Sequence, residues 1–311
     1  MRILFWGTPE FAAAPLRALI GEGFDVTGIV TRPDKPQGRS RTVTTPPVKQ
    51  IAIEEKIPCF QPATLRSVEF ADTLEVMQPD ISIVVAYGNI LPKKLIELPK
   101  LGTLNIHASL LPALRGAAPI QAAIRQGFTE TGVSIMRMVP ALDAGPVILQ
   151  APTPILDDET YGELQLRLSE LGALTLVEAL TLISLGQASE TEQDESRVSV
   201  APKVTRDDAK IDWTLEAVEV SRVIRAYDPK PAAFTTRQGT ELKVFGPRLV
   251  QNAETAVWNP GEVIATTPEL VVACGKGAIR ISDVQPAGRS RMSAADWARG
   301  RAIAPGDVLG T

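Results

Sequence analysis

Cysteine is scarce in this chain: two residues in 311, Cys59 and Cys274, far apart and in no CxxC spacing. That excludes a disulfide framework and a thiolate zinc knuckle, and it fits a reducing compartment. Histidine is scarcer still, with His107 alone, so any chemistry that needs an imidazole falls on one side chain. No apolar run approaches the ~20 residues that span a bilayer. A signal or transit pattern is also missing ahead of Arg2-Ile3-Leu4-Phe5-Trp6-Gly7, which reads as a buried strand, so the expected setting is the cytoplasm. Excess positive charge is absent too: the net charge of −4 argues against a protein wrapped in nucleic acid. Finally, the turn after the first strand is Gly7-Thr8-Pro9 and lacks the second glycine of GxGxxG. That glycine lets the backbone approach a pyrophosphate, so its absence argues against a nicotinamide enzyme.

What is present reads as two domains. Apolar residues make up 44% and charged residues 22%, a globular balance. A chain of this length buries roughly three quarters of its unfolded surface and needs no covalent staple. Strand and helix alternate through the first two thirds. Strands are expected at Arg2–Gly7, Asp25–Thr31, Asp80–Gly88, Thr103–Ser109, Val133–Val139 and Val147–Ile155. Thr8-Pro9-Glu10 reads as the N-cap and first turn of a helix, and Leu156–Leu185 as a long amphipathic one. This order predicts an α/β domain over residues 1–189, with a Rossmann-like, doubly wound and mostly parallel sheet. The polar stretch at 190–207 reads as a linker. Beyond it, a helix near Leu215–Tyr227 and short strands with Gly and Pro turns predict a small β-barrel of oligonucleotide-binding type over 208–311.

Charge is unevenly placed. Arg32–Lys49 holds five basic residues against one acid, and Arg280–Arg301 five against two. Two basic patches on an acidic protein fit a polyanion touched at chosen places; a solvated loop and a solvated helix face are the plainer alternative. In TLNIHASLLP, strand alternation puts Asn105, His107 and Ser109 on one face, at the carboxyl end of a parallel strand where open α/β sheets place ligands. Asp143 stands in the Gly/Pro turn Leu142-Asp143-Ala144-Gly145-Pro146. A histidine satisfied by a backbone carbonyl and an Asx turn would explain these residues structurally. Together, with no serine or cysteine nucleophile in motif context, they suit a transfer in which the substrate brings its own nucleophile.

The block Asn105–Pro112, followed by Arg115-Gly116-Ala117-Ala118-Pro119-Ile120 and Asp143-Ala144-Gly145-Pro146, resembles the core of the folate-dependent formyltransferases. Phe5–Phe11, Arg32–Arg39, Pro47-Val48-Lys49, Val84–Gly88, Lys210–Trp213, Ile224–Pro229 and Gln285–Gly288 extend the resemblance over nearly the whole chain, toward the branch that formylates a charged tRNA. The resemblance implies formyl transfer from 10-formyltetrahydrofolate to the α-amino group of methionyl initiator tRNA, with no metal. It carries the catalytic triplet onto Asn105, His107 and Asp143, and the folate pocket onto Val85, Ala86, Tyr87, Gly88, Ser109, Leu110, Leu111 and Pro112. A tRNA-contacting loop falls on Asp34–Pro46, with Lys35, Arg39, Arg41 and Lys49 as its cations and Arg39 as the key arginine.

The chain departs from the family at Lys230, a common tryptophan position, and at Leu114, where a bulky aromatic often stands. The loop is also less basic than in some relatives. The expected chemistry has Asn105 and a protonated His107 donating to the tetrahedral oxyanion, with Asp143 orienting His107 and raising its pKa. Small-amine acceptors such as glycinamide ribonucleotide or a nucleotide amino-sugar are the alternatives, weighed down by the second domain and the basic loop. A tRNA-binding module with a retired site is the other, against which the intact triplet stands. No coiled-coil heptad is present, so a monomer is expected.

Overall fold

The computed structural model describes residues 1–37, 42–251, 258–300 and 302–311, with the backbone alone at 35–37, 42 and 43. The chain divides into two compact units. One comprises Met1–Gly116, Glu130–Thr153 and Gln165–Ala201, the other Ala117–Thr129, Pro154–Leu164 and Pro202–Thr311.

In the first unit the strands are β1 (Arg2–Gly7), β2 (Asp25–Val30), β3 (Lys35–Gln37), β4 (Thr42–Thr44), β5 (Cys59–Phe60), β6 (Ile81–Val85), β7 (Thr103–His107), β8 (Arg115–Gly116), β9 (Glu130–Arg137), β10 (Val147–Pro154) and β11 (Val200–Ala201). Its first helices are α1 (Ala13–Gly21), α2 (Pro47–Glu54), α3 (Val68–Met77) and α4 (Lys93–Ile96). Seven strands form the main sheet in the order β10-β9-β7-β6-β1-β2-β5. The pairs β5–β2, β2–β1, β1–β6 and β6–β7 are parallel, and β9 runs antiparallel to β7. The chain winds outward from β1 in both directions, as a doubly wound, mostly parallel sheet requires.

The central strands are apolar at nearly every position because the sheet is covered on both faces: all five residues of β6 are buried. On one face Leu4, Trp6, Val84, Tyr87 and Leu91 share a core with Leu74 of α3 and Leu95 of α4. Trp6 is fully buried without an orphan donor, since its Nε1–H donates to Ser82 Oγ at 3.2 Å. Its ring meets Tyr87 edge-on, centroids 5.4 Å apart. The expected N-cap role of Thr8 does not materialise. Pro9 holds the cap position of a short 3-10 turn with no side-chain cap, and α1 begins only at Ala13. The Thr8 hydroxyl donates instead to Tyr87 O at 3.1 Å, tying the end of β1 to the end of β6.

The second unit contains α5 (Pro119–Gln126), the first turn of α6 (Tyr161–Ser184), α7 (Ala217–Tyr227), α8 (Ala294–Arg299) and strands β12 (Ala233–Arg237), β13 (Thr240–Leu249), β14 (Val263–Ala265), β15 (Leu270–Ala273), β16 (Ala278–Pro286) and β17 (Met292–Ser293). Its strands pair antiparallel in the order β12-β13-β16-β15-β14, with β17 beside β16. This is the half-barrel of OB-like type that the turn spacing predicts. A capping box on Glu216 and Glu219 starts α7. Lys230 is exposed, so its departure from the expected tryptophan leaves no core position unfilled.

Gly116 and Gly145 are among the glycines dictated by space. At Gly116, with φ of +124°, a Cβ would lie 2.5 Å from Ala201 O; at Gly145 it would lie 1.8 Å from Arg137 O. Gly21, at the end of α1, faces open space. Gly145→Ala is expected to lower the unfolding free energy in urea by about 3 kcal/mol through backbone displacement. Gly21→Ala is expected to raise it by about 0.5 kcal/mol through helix propensity.

Candidate active site

The winding direction of the sheet reverses between β1 and β6, and ligands of such sheets bind in the crevice at the carboxyl ends of the strands there. Three chain segments emerge at those ends: Gly7–Thr8 after β1, Val85–Gly88 after β6, and the run after β7 that begins at His107. The β6 exit turns through left-handed backbone at Ala86 (φ 46°) and Gly88 (φ 84°). Val85 and Tyr87 are thereby buried, and Ala86 and Gly88 face solvent. Ser109–Pro112 is pinned to the sheet by polar side chains. Ser134 Oγ donates to Ser109 O at 2.6 Å and accepts from Leu111 N at 3.0 Å, while Gln150 Nε2 donates to Leu111 O at 3.0 Å. Ser109 itself is buried and donates its hydroxyl to Ala113 O at 2.6 Å, so it is no free nucleophile.

His107 is 5% exposed, and Asn105, one alternation earlier, is half-buried. The Asn105 amide has no side-chain hydrogen bond to a described residue, which leaves it able to bind a ligand. Nε2 of His107 lies 3.0 Å from Leu114 O. A carbonyl oxygen can only accept, so Nε2 carries the hydrogen and Nδ1 of the neutral ring presents a lone pair. Nδ1 lies 3.7 Å from Asp143 Oδ2, close enough for strong attraction to a charged ring but beyond a hydrogen bond to a neutral one. A backbone carbonyl thus satisfies one nitrogen, as the structural explanation has it, and the other has no hydrogen-bond partner among the described residues.

Asp143 sits in left-handed backbone (φ 48°), which a short polar side chain tolerates, and its Oδ2 accepts the Gly116 N–H at 2.8 Å. Burial is the largest influence on His107 and pushes its pKa below 6.5, while Asp143 and the Leu114 carbonyl pull the other way. Asp143 raises the pKa as expected, but desolvation outweighs it and favours a neutral imidazole in the resting site. The two thiols offer no alternative nucleophile. Burial pushes Cys274 up to about 12 and raises Cys59 as well. Among the described residues no cluster of three or more His, Cys, Asp and Glu side chains could hold a metal.

The cations expected to meet a polyanion are placed differently from one another. Arg39 and Arg41 lie outside the described residues, and Lys35 opens β3, which pairs with β4 as the two arms of the basic loop. Lys49, at the start of α2, places Nζ 2.7 Å from both Asp34 Oδ2 and Gln61 Oε1. Its charge ties down the base of the loop. In the C-terminal patch Arg280 pairs with Glu269 at 3.1 Å, Arg291 with Asp283 at 2.8 Å and with Asp228 at 3.2 Å, and Arg299 with Asp296. These arginines are engaged within their own unit.

Three features carried no sequence signal. The first is the Leu114 carbonyl as the partner of His107, since any residue supplies a carbonyl. The second is the exposed apolar pair Ile90 (87% exposed) and Leu142 (65% exposed) on the loops that carry Gly88 and Asp143. The third is the contribution of residues 190–201, which are bonded to the loops around Asp143 and Leu114.

Residues 1–180 match the family described as Formyl transferase, and residues 203–302 match Formyl transferase, C-terminal domain, so the class is that of formyl-group transferases. The methionyl-tRNA formyltransferase of Methylococcus capsulatus is 47% identical over 311 residues, covering 100% of both chains. That of Bacillus subtilis is 41% identical, covering 99% of this chain and 98% of its own. The chain belongs to the methionyl-tRNA formyltransferase family. Among solved structures, a HypX variant from Aquifex aeolicus is similar with a TM-score of 0.70 at 20% identity, over 95% of this chain; the chain spans only 48% of that protein's length. The sugar 3N-formyl transferase WlaRD gives 0.66 at 17% identity over 93% of this chain and 99% of its own. At those identities the likeness is one of fold.

The His107 shift has a stability consequence. Because the folded pKa lies below 6.5, the folded state binds fewer protons than the unfolded state once pH falls through that value. Stability is therefore full above it and declines toward the folded pKa. The urea midpoint is expected to drop between about pH 7.5 and about pH 5.5, and to drop less in His107→Gln.

Proposed function

We propose that the site at the carboxyl ends of β6 and β7 moves a formyl group from 10-formyltetrahydrofolate to the α-amino group of methionine on initiator tRNA. The observation that carries this reading is a buried, neutral His107 at the sheet's ligand-binding edge, its Nδ1 3.7 Å from Asp143 Oδ2 and Asn105 one alternation earlier on β7. An α-amino group has a pKa near ~8, so roughly a tenth of it is neutral at pH 7 and no strong base is needed to start the reaction. The amine attacks the formyl carbon, and the tetrahedral oxygen accepts from the Asn105 amide. Nδ1 takes the proton that the new C–N bond makes acidic, and the imidazolium so formed is stabilised by Asp143 at 3.7 Å. Returning that proton to N10 as the C–N10 bond breaks releases tetrahydrofolate and restores neutral His107.

The donor fits the surfaces available. Ala86 and Gly88 expose backbone, and Ile90 and Leu142 expose apolar side chains that a flat ring system would cover. The tRNA is met by the loop cations Lys35, Arg39 and Arg41 and by a C-terminal domain at 208–311, with Lys49 holding the loop's base. The catalytic domain is 1–189, and the enzyme works in the cytoplasm as a monomer. No helix among the described residues is long and apolar enough to cross a membrane.

Transfer of formyl to charged initiator tRNA, read as formylmethionine by mass spectrometry, tests this. Asn105→Ala and His107→Ala are each expected to lose roughly 10²–10³ in kcat. Formylation of a small amine with none on charged tRNA would contradict the acceptor. Arg39→Ala is expected to narrow the preference for initiator over elongator methionyl-tRNA; equal use by wild type and variant would remove Arg39 from recognition.

A further inference from the structure

The polar stretch at 190–201 is bonded to the catalytic unit at every third residue or so. Glu190 Oε1 accepts from Arg137 Nε at 3.0 Å, and Thr191 exchanges two backbone hydrogen bonds with Val147, each 2.8 Å. Gln193 Nε2 then donates to Asp143 O at 2.9 Å and to Gly145 O at 2.7 Å. Its other amide atom, Oε1, accepts from Arg115 Nε at 3.0 Å. Glu195 takes the rest of that guanidinium, at 2.7 Å and 3.3 Å. Ser199 Oγ accepts Leu114 N at 2.9 Å, and β11 pairs with β8 so that Val200 and Ala201 face Arg115 and Gly116.

The two loops held this way are the ones that set the environment of His107. One supplies the Leu114 carbonyl and the Gly116 N–H, the other supplies the Asp143 carboxylate. Gln193 is the side chain that touches both. It can do so because a carboxamide is a donor at one end and an acceptor at the other. The left-handed turn at Asp143 is tied to the 114–116 loop by its carboxylate on the Gly116 N–H, and Gln193 adds a hold on the carbonyls of Asp143 and Gly145.

We propose that Gln193 is a positioning residue for the transfer: its carboxamide locks the 143–145 turn to Arg115 and thereby fixes the Asp143 carboxylate against Nδ1 of His107. The role rests on the reaction assigned above to Asn105, His107 and Asp143. It reaches the reacting atoms only through Asp143.

Gln193→Glu and Gln193→Met separate this from general packing. Glutamate keeps an oxygen toward Arg115 but loses the donor to both carbonyls, and methionine keeps the length while losing both functions. Asp143 is the charged group that acts on His107; Arg115, beside Leu114 in the chain, is turned to Gln193 and Glu195. With Asp143 released, only the Leu114 carbonyl still opposes burial, so the His107 titration midpoint should fall in both variants. That midpoint is read by NMR on the full protein, where the single histidine needs no assignment. Steady-state assays with charged tRNA should show kcat lowered about 10- to 100-fold with KM for both substrates within about twofold of wild type. A midpoint unmoved in both variants overturns the proposal whatever the activity does, as does a loss confined to KM. A moved midpoint with kcat intact leaves the lock standing and overturns instead the role given to Asp143.

Discussion

The site depends on one hydrogen bond, from Nε2 of His107 to the carbonyl of Leu114. It decides which ring nitrogen carries the hydrogen, and so leaves a lone pair on Nδ1 facing Asp143. A buried imidazole with both nitrogens unsatisfied would be costly, and one with both satisfied would be inert. Here the chain spends a backbone carbonyl on Nε2 and leaves Nδ1 without a hydrogen-bond partner among the described residues, 3.7 Å from Asp143 Oδ2. Burial keeps the resting ring neutral, and the nearby carboxylate makes the charged form attainable during turnover. In the proposed reaction Asp143 acts on the charged intermediate state of the ring more than on its ground state.

Holding that arrangement requires backbone that resists relaxation. Ala86, Leu114 and Asp143 all lie in left-handed conformations, each costing of order 1 kcal/mol for a residue with a side chain. Each is steadied by a side chain from elsewhere in the sequence: Thr8 on Tyr87 O, Ser199 on Leu114 N, and Gln193 on Asp143 O. The strain is placed where three loops must converge on one edge of a rigid sheet, and polar side chains from outside the motif blocks hold it there. This is the division of labour expected when catalytic groups ride on loops over a packed scaffold.

Much of this was legible from the residues. Central strands buried on both faces announce themselves as apolar runs, so β1 and β6 could be placed from Ile3–Trp6 and Ile81–Val85. The sheet's ligand edge then located Asn105 and His107. Other features were not legible because their cause is tertiary. Thr8 resembles an N-cap locally, yet its hydroxyl goes to the neighbouring strand's exit. The polar texture within 190–207 reads as a linker because the partners of Gln193, namely Arg115, Asp143 and Gly145, lie some fifty to eighty residues away in sequence. Nor could composition show that Lys49 spends its charge on Asp34, or that burial outweighs Asp143 at His107. Those balances depend on distances that only the fold sets.

The most direct test of the account is the tautomer of the single histidine, read from its two nitrogen-15 shifts in the full-length protein at neutral pH. The account predicts a protonated Nε2, an unprotonated Nδ1 and a titration midpoint below 6.5. Two protonated nitrogens at neutral pH, or the hydrogen on Nδ1, would contradict it.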